Sequence, residues 1–199
     1  MNYLWTVALG LLTALCATWM LALRPKPTAD TVWSMEKHDE AVRRIAQAVK
    51  SFHERQEQFH IYHGSTNSTR ITSFERRKMV DVSHLRHIVY IDARRGVAVV
   101  EANVPMDVLV DAALKHGLVP PVVPEFPGIT VGGGYSGTAG ESSSFRYGFF
   151  DNTVNWCEIV LANGEIVQAS AENEPDLFFG AASTDRMAHP AAPLKAIVG

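Results

Sequence analysis

Seven of the fourteen glycines fall between Gly128 and Gly148. The run reads Pro127-Gly128-Ile129-Thr130-Val131-Gly132-Gly133-Gly134-Tyr135-Ser136-Gly137-Thr138-Ala139-Gly140-Glu141-Ser142. Glycine opens positive φ and lets a ligand reach main-chain N–H groups. Successive N–H groups in such a loop form an anion-binding nest. Ser136, Thr138, Ser142, Ser143 and Ser144 add neutral hydroxyl donors. A flexible linker is the competing explanation. Ile129, Val131, Tyr135, Phe145, Tyr147, Phe149 and Phe150 make the segment too apolar for that. No lysine lies inside it, so it is not a P-loop, and the proline-rich coil before it fits the G-x-G-x-x-G fingerprint poorly. A smaller loop, Gly64-Ser65-Thr66-Asn67-Ser68-Thr69, repeats the chemistry. Alone it reads as a polar surface turn. Two such loops together suggest a ligand with an extended diphosphate, such as a dinucleotide.

The chain has 199 residues, 47% apolar and 20% charged, which is globular composition. Its net charge of −3 excludes nucleic-acid binding driven by bulk positive charge. Cys16 and Cys157 are the two cysteines, too few for a disulfide framework or a cysteine-rich zinc module. His60 and His63 are three apart with no cysteine or carboxylate close by, and no metal site is predicted. Residues 2–23 carry no charge, long enough at 1.5 Å per residue to cross a hydrocarbon core. Trp5 and Trp19 lie near its ends, and Arg24 and Lys26 follow it. A cleaved signal peptide would want a basic start and a small-residue cleavage site, and neither is present. The reading is a retained single-span anchor at 2–23, a linker at 24–33, and the globular part on the cytosolic side.

Residues 36–58 read as an amphipathic helix, with Val42, Ile45, Ala46, Val49 and Phe52 at helical spacing. Phe59 to Tyr62, Met79 to Val82, Ile88 to Asp92 and Val97 to Ala102 read as strands. Met106 to His116 reads as a second helix, after Pro105 and ended by Gly117. Residues 157–162 and 165–170 read as a hairpin closed by a two-residue Asn163-Gly164 type I′ turn. The pattern is α+β. Glu125 and Glu141 read as solvated carboxylates or loop caps. Arg43-Arg44, Arg76-Arg77-Lys78 and Arg94-Arg95 read as solvated faces, with contact to anionic headgroups the minority alternative. Asn67-Ser68-Thr69 is a glycosylation sequon by pattern, unused if the loop faces the cytosol.

The run from Pro124 to Gly133, then Gly137-Thr138-Ala139-Gly140-Glu141-Ser142-Ser143-Ser144, then Tyr147-Gly148, resembles the FAD-binding segment of the PCMH-type (p-cresol methylhydroxylase or vanillyl-alcohol oxidase) flavoproteins. Within that superfamily it looks most like the delta(24)-sterol reductase, or Diminuto/seladin, group. Glu158 to Gly164 and Glu172 to Phe178 are similar to the same group. The resemblance implies two α+β subdomains clasping FAD, occupying residues 34–182. It implies cofactor contacts by Thr130, Val131, Gly132, Gly133, Gly134, Tyr135, Ser136, Gly137, Thr138, Ala139, Gly140, Glu141 and Ser142, mainly through backbone N–H groups. Gly64, Ser65, Thr66, Asn67, Ser68 and Thr69 would form the loop near the diphosphate. His63 is not expected to carry a covalent flavin. The reaction implied is reduction of a sterol side-chain double bond, with NADPH reducing FAD, in a single-pass protein of the endoplasmic reticulum. No catalytic residue is assigned. Residues 183–199 read as a divergent, proline-broken tail with no strand pattern, so the FAD domain is expected to be C-terminally incomplete. The alternatives are a non-catalytic FAD-fold membrane protein and a sugar- or alcohol-oxidising flavoprotein of the same superfamily.

Overall fold

A computed structural model describes residues 35–64, 75–126, 128–182 and 192–198. The candidate anchor at 2–23, the linker at 24–33 and loop residues 65–69 lie outside the described residues. Among those described, no helix is long and apolar enough to cross a membrane.

Helix α1 (Met35–Glu54) follows from the periodicity already read. Val42, Ile45, Ala46, Val49 and Phe52 are all buried along one face. Each large apolar side chain buried there contributes about 2 kcal/mol. The helix ends at Glu54, short of the predicted residue 58, at a Schellman turn. Gln56 takes φ +52, and the Glu57 N–H donates back to the Phe52 carbonyl at 3.0 Å. Two short strands follow, β1 (His60–Tyr62) and β2 (Met79–Asp81). They pair in parallel, with Ile61 opposite Val80. The face of α1 packs on Val80, Val82 and Leu85 to make one apolar cluster.

The larger sheet has five strands, in the order β3 (Ile88–Asp92), β4 (Val97–Glu101), β7 (Ala192–Val198), β5 (Val154–Val160) and β6 (Ile166–Ser170). Every pairing in it is antiparallel. Three helices belong with its core: α2 (Met106–Leu114), α3 (Val131–Ser136) and α5 (Pro175–Ala182). A one-turn helix, α4 (Ser144–Tyr147), lies between α3 and β5 in the chain. Gly117 ends α2 at φ +71, as its position predicts.

Two expectations are corrected. Residues 192–198 are not a strandless tail. They form the central strand and pair with both β4 and β5. Local pattern argues against this, because Pro193 cannot donate to a ladder. The structure resolves the conflict by position: β4 pairs only with residues 195–198, so Pro193 has β5 alone as a neighbour. Two waiting sheet edges override weak local propensity.

The β5–β6 turn is also not type I′, which needs positive φ at both central residues. Among the described residues only Gly164 in this turn has positive φ, +80. The Gly164 N–H donates to the Leu161 carbonyl at 2.9 Å, and Leu161 N–H donates to Glu165 at 2.8 Å. This is a type I turn with a glycine bulge. A Cβ on Gly164 would lie 2.6 Å from the Lys50 Cβ and 2.7 Å from the Ala46 carbonyl, so the longer turn lets the hairpin press onto α1.

A buried ionic cluster fixes α1 to the sheet. His38 Nδ1 is 2.9 Å from Glu101 Oε1 and its Nε2 is 3.1 Å from Glu158 Oε1. Glu101 Oε2 accepts from the His87 backbone N–H at 2.8 Å and lies 2.8 Å from His87 Nδ1. Burial alone would lower the His38 pKa, but hydrogen bonds to the two carboxylates outweigh it and hold it up at about 9. His38 is therefore a cation at neutral pH, donating from both nitrogens.

Candidate functional site

The glycine-rich segment is not an open nest. It folds into α3, capped by Thr130, whose Oγ1 accepts from the Gly133 N–H at 3.1 Å. Val131 and Gly132 N–H groups donate to the Val104 and Ala102 carbonyls at 2.9 and 2.7 Å. Gly134 and Gly137 N–H groups are spent on Thr130 and Gly133. The helix closes in a Schellman turn, with Thr138 N–H donating to Tyr135 and Ala139 N–H to Gly134. Thr138 occupies the left-handed position of that turn at φ +45, where glycine is usual.

Close packing, more than ligand approach, accounts for several of the glycines. A Cβ on Gly132 would lie 2.9 Å from the Ala102 Cβ, one on Gly134 3.1 Å from Phe150, and one on Gly140 2.7 Å from Phe149. Tyr135 is fully buried, and its hydroxyl donates to the Phe178 carbonyl on α5. Val131, Gly132, Gly134 and Tyr135 thus belong to the core. The backbone N–H contacts expected along this stretch are largely taken up internally.

The exposed residues of the segment are Gly133, Gly137, Gly140 and Ser142, with Ser136, Thr138, Ala139 and Glu141 half-buried. Gly133 on α3 and Gly137, the cap residue just after it, are both exposed and present backbone without a side chain, with the Thr130 hydroxyl beside Gly133. A flat ring can lie on such a surface. Phe145, Tyr147 and Phe149 are exposed beside it in the chain. Ser143 Oγ ties the segment to the proline-rich stretch by donating to the Pro121 carbonyl at 2.7 Å. Glu141 is held down at about 2, first by the Ser142 hydroxyl and then by Ser143, so it is ionised at any ordinary pH.

The second loop leaves β1 at its carboxyl end. Loops at the carboxyl ends of parallel strands are where ligands bind in open α/β sheets. Gly64, the described residue of this loop, is exposed at φ +93, and a Cβ there would meet Ser83 at 3.3 Å.

A hydrogen-bonded corner that the sequence did not single out joins the two regions. The Val82 N–H donates to the Tyr62 carbonyl at the end of β1, at 2.8 Å. Asn103 Nδ2 donates to the Val82 carbonyl at 2.6 Å. Next to it, the Ala102 carbonyl accepts from the Gly132 N–H. Among the described residues no group of histidine, cysteine and carboxylate side chains is arranged to hold a metal.

A family model described as an FAD binding domain matches residues 40–170. The chain belongs to this FAD-binding family. It is 42% identical over 101 residues to the delta(24)-sterol reductase of Pisum sativum, spanning 50% of this chain and 18% of that protein. It is 30% identical over 146 residues to the human delta(24)-sterol reductase, spanning 71% of this chain and 28% of that protein. A decaprenylphosphoryl-beta-D-ribose oxidase from Mycolicibacterium smegmatis is 35% identical over 102 residues, spanning 51% of this chain and 22% of that protein. The chain therefore spans less than a third of the length of these relatives. Among solved structures, 6-hydroxy-D-nicotine oxidase from Arthrobacter nicotinovorans superposes with a TM-score of 0.65 at 20% identity, covering 79% of this chain and 34% of that one. A chitooligosaccharide oxidase matches with the same TM-score at 13% identity, over 79% of this chain and 33% of that one. The mixed α/β fold is that of the PCMH-type flavoproteins, as the sequence resemblance implies.

The residues of this FAD-binding domain fit the cofactor's chemistry. The exposed backbone at Gly133 and Gly137 leaves room for a planar ring, and the neutral hydroxyls around it suit a polar edge. The ionised Glu141 carboxylate disfavours a phosphate beside it.

Proposed function

We propose that the chain is the FAD-binding part of an oxidoreductase that reduces a side-chain double bond of a sterol, with NADPH as the electron source. The observation that carries this reading is the 42% identity over 101 residues to a delta(24)-sterol reductase. FAD, when bound, supplies the hydride chemistry. The chain's own residues bind and orient it. Thr130 and Thr138 fix the two ends of α3 and so the attitude of the exposed Gly133 and Gly137 backbone. The loop from Gly64 to Thr69 receives the diphosphate, and Ser142 offers a hydroxyl at the margin. We further assign residues 2–23 as a membrane anchor in the endoplasmic reticulum, with the FAD domain on the cytosolic side. The absence of charge in that segment and the basic residues after it support this topology.

The test is to purify residues 1–199 in detergent, add FAD, remove excess, and record visible absorbance alongside circular dichroism. Flavin retained by a folded chain is the expected result. A folded chain that retains none overturns the reading. The 35% identity to a decaprenylphosphoryl-beta-D-ribose oxidase favours a second reading, a sugar- or alcohol-oxidising flavoprotein. Assaying sugar and sterol substrates against the whole gene product separates the two.

A further inference from the structure

We infer that a cavity at one end of the larger sheet binds an organic cation, a protonated amine carried on an apolar body. The rings of Tyr90, Trp156 and Phe179 wall it, and Asp151 supplies the counter-charge. The inference does not depend on the FAD reading, because no residue lining this cavity lies between 128 and 148 or at Gly64.

The cavity lies at the end of the sheet where β4 and β5 begin, and the first residues of both strands, Val97 and Val154, are in its lining. Its volume is about 600 Å³, within the range of small-molecule sites. Each ring comes from a different element. Tyr90 stands on β3, Trp156 on β5 and Phe179 on α5. Tyr90 and Phe179 are 50% and 55% exposed. The apolar body of a ligand would take that ring surface out of water.

Charge decides the kind of ligand. The lining carries three charged residues: Arg95 in the turn after β3, and the carboxylates Asp151 and Glu172. Glu172 accepts from the Ser170 hydroxyl at 3.1 Å. Asp151 is less well served. Its Oδ1 is buried with no hydrogen-bond partner, and its Oδ2 accepts from the Asn152 amide at a long 3.3 Å. Burial pushes its pKa up. A carboxylate held this way is a negative charge that the protein compensates only in part. Rotation about χ2 exchanges its two oxygens, so either can meet a donor in the cavity. The rings favour the same sign of ligand, because their faces attract cations. An anion would meet two carboxylates against one guanidinium. A water bound at Oδ1 is the competing explanation, and it predicts no saturable binding of an amine.

The experiment uses the full chain in detergent with Trp5→Phe, Trp19→Phe and Trp33→Phe, so that Trp156 alone reports by its fluorescence. Benzylamine, a cation at pH 7, is titrated beside benzyl alcohol and benzoate, a neutral and an anionic probe of similar shape. The expected result is a saturable change with benzylamine, and binding about tenfold weaker or worse for the other two. Asp151→Asn keeps the shape, removes the charge and should weaken benzylamine about tenfold while leaving benzyl alcohol unmoved. Arg95→Gln should not weaken benzylamine. Where circular dichroism shows Asp151→Asn unfolded, Tyr90→Leu takes its place and should weaken benzylamine about threefold through loss of a ring face. The absence of a saturable change overturns the inference and assigns Oδ1 to water. Equal affinity for the three probes overturns it, since that is plain apolar partition. A preference for benzoate, or benzylamine affinity unchanged in the folded variant, overturns it as well.

Discussion

His38 and Glu101 meet at 2.9 Å with neither side chain exposed to solvent, although they are 63 residues apart in sequence. Helix α1 supplies the cation and strand β4 the anion. Glu158 on β5 and His87 ahead of β3 complete the cluster.

This cluster predicts a stability plateau with two different edges. Burial would raise the Glu101 pKa, but hydrogen bonds from His38 and His87 bring it below the usual carboxylate range. Its contribution is present above the unfolded carboxylate pKa and is lost as pH falls through the lowered folded value. His38 is raised to about 9, so its contribution is full below the ordinary histidine pKa and is lost as pH rises through about 9. Urea unfolding from pH 5 to 10 should show the alkaline loss in the wild type and not in His38→Gln. That variant should be less stable by about 3 kcal/mol at pH 7, because it leaves Glu101 buried without its cation. An alkaline edge that survives in His38→Gln would assign it to another group.

Gly132→Ala should destabilise the fold by about 2 kcal/mol. The added methyl would lie 2.9 Å from the Ala102 Cβ and 3.0 Å from the Ala102 carbonyl, neither of which is a flexible side-chain end. Chemical denaturation measures the loss. Gly133→Ala faces only the Thr130 hydroxyl at 3.1 Å and should cost less.

Thr138→Gly should stabilise the apo chain by about 1 kcal/mol, because it removes a β-branched residue from left-handed backbone at φ +45. Thr138→Ala should gain less, since it keeps the Cβ. Thermal melts of the two variants distinguish relief of backbone strain from simple loss of the hydroxyl. If the glycine variant melts no higher than the alanine variant, the turn is not strained.

Cys157 should be unreactive in the native protein. Burial pushes its thiol up to about 11, and its Sγ donates to the Tyr135 hydroxyl at 3.6 Å. In a Cys16→Ser background, a thiol-exchange reagent at pH 8 should give no reaction until denaturant is added. Stoichiometric reaction under native conditions would place Cys157 at the surface.

Elements with a strong local period were legible from sequence. The α1 core face, the ends of α2 around Pro105 and Gly117, and strands β3 and β4 all follow from spacing and breakers. The family motif was legible too, because Gly137 to Ser144 combines several specific residues. The conformation of that motif was not. Glycine content reads as freedom, whereas Gly132, Gly134 and Gly140 are there because Ala102, Phe150 and Phe149 leave no space, and which side chain closes on which glycine is set by the folded packing. The His38–Glu101–Glu158 cluster is invisible in sequence because only the fold brings the 63- and 120-residue separations together. Strand β7 was masked by Pro193, which lies beyond the end of the β4 pairing and faces β5 alone.

The position of β7 has a consequence for biosynthesis. The β3–β4 and β5–β6 hairpins are both complete before residues 192–198 leave the ribosome, and the facing edges of β4 and β5 pair with β7 rather than with each other. Until that segment emerges, the nascent chain carries two unpaired edges that invite pairing with other molecules. Holdase chaperones should therefore engage this polypeptide late, between synthesis of the second hairpin and arrival of the strand that joins the two.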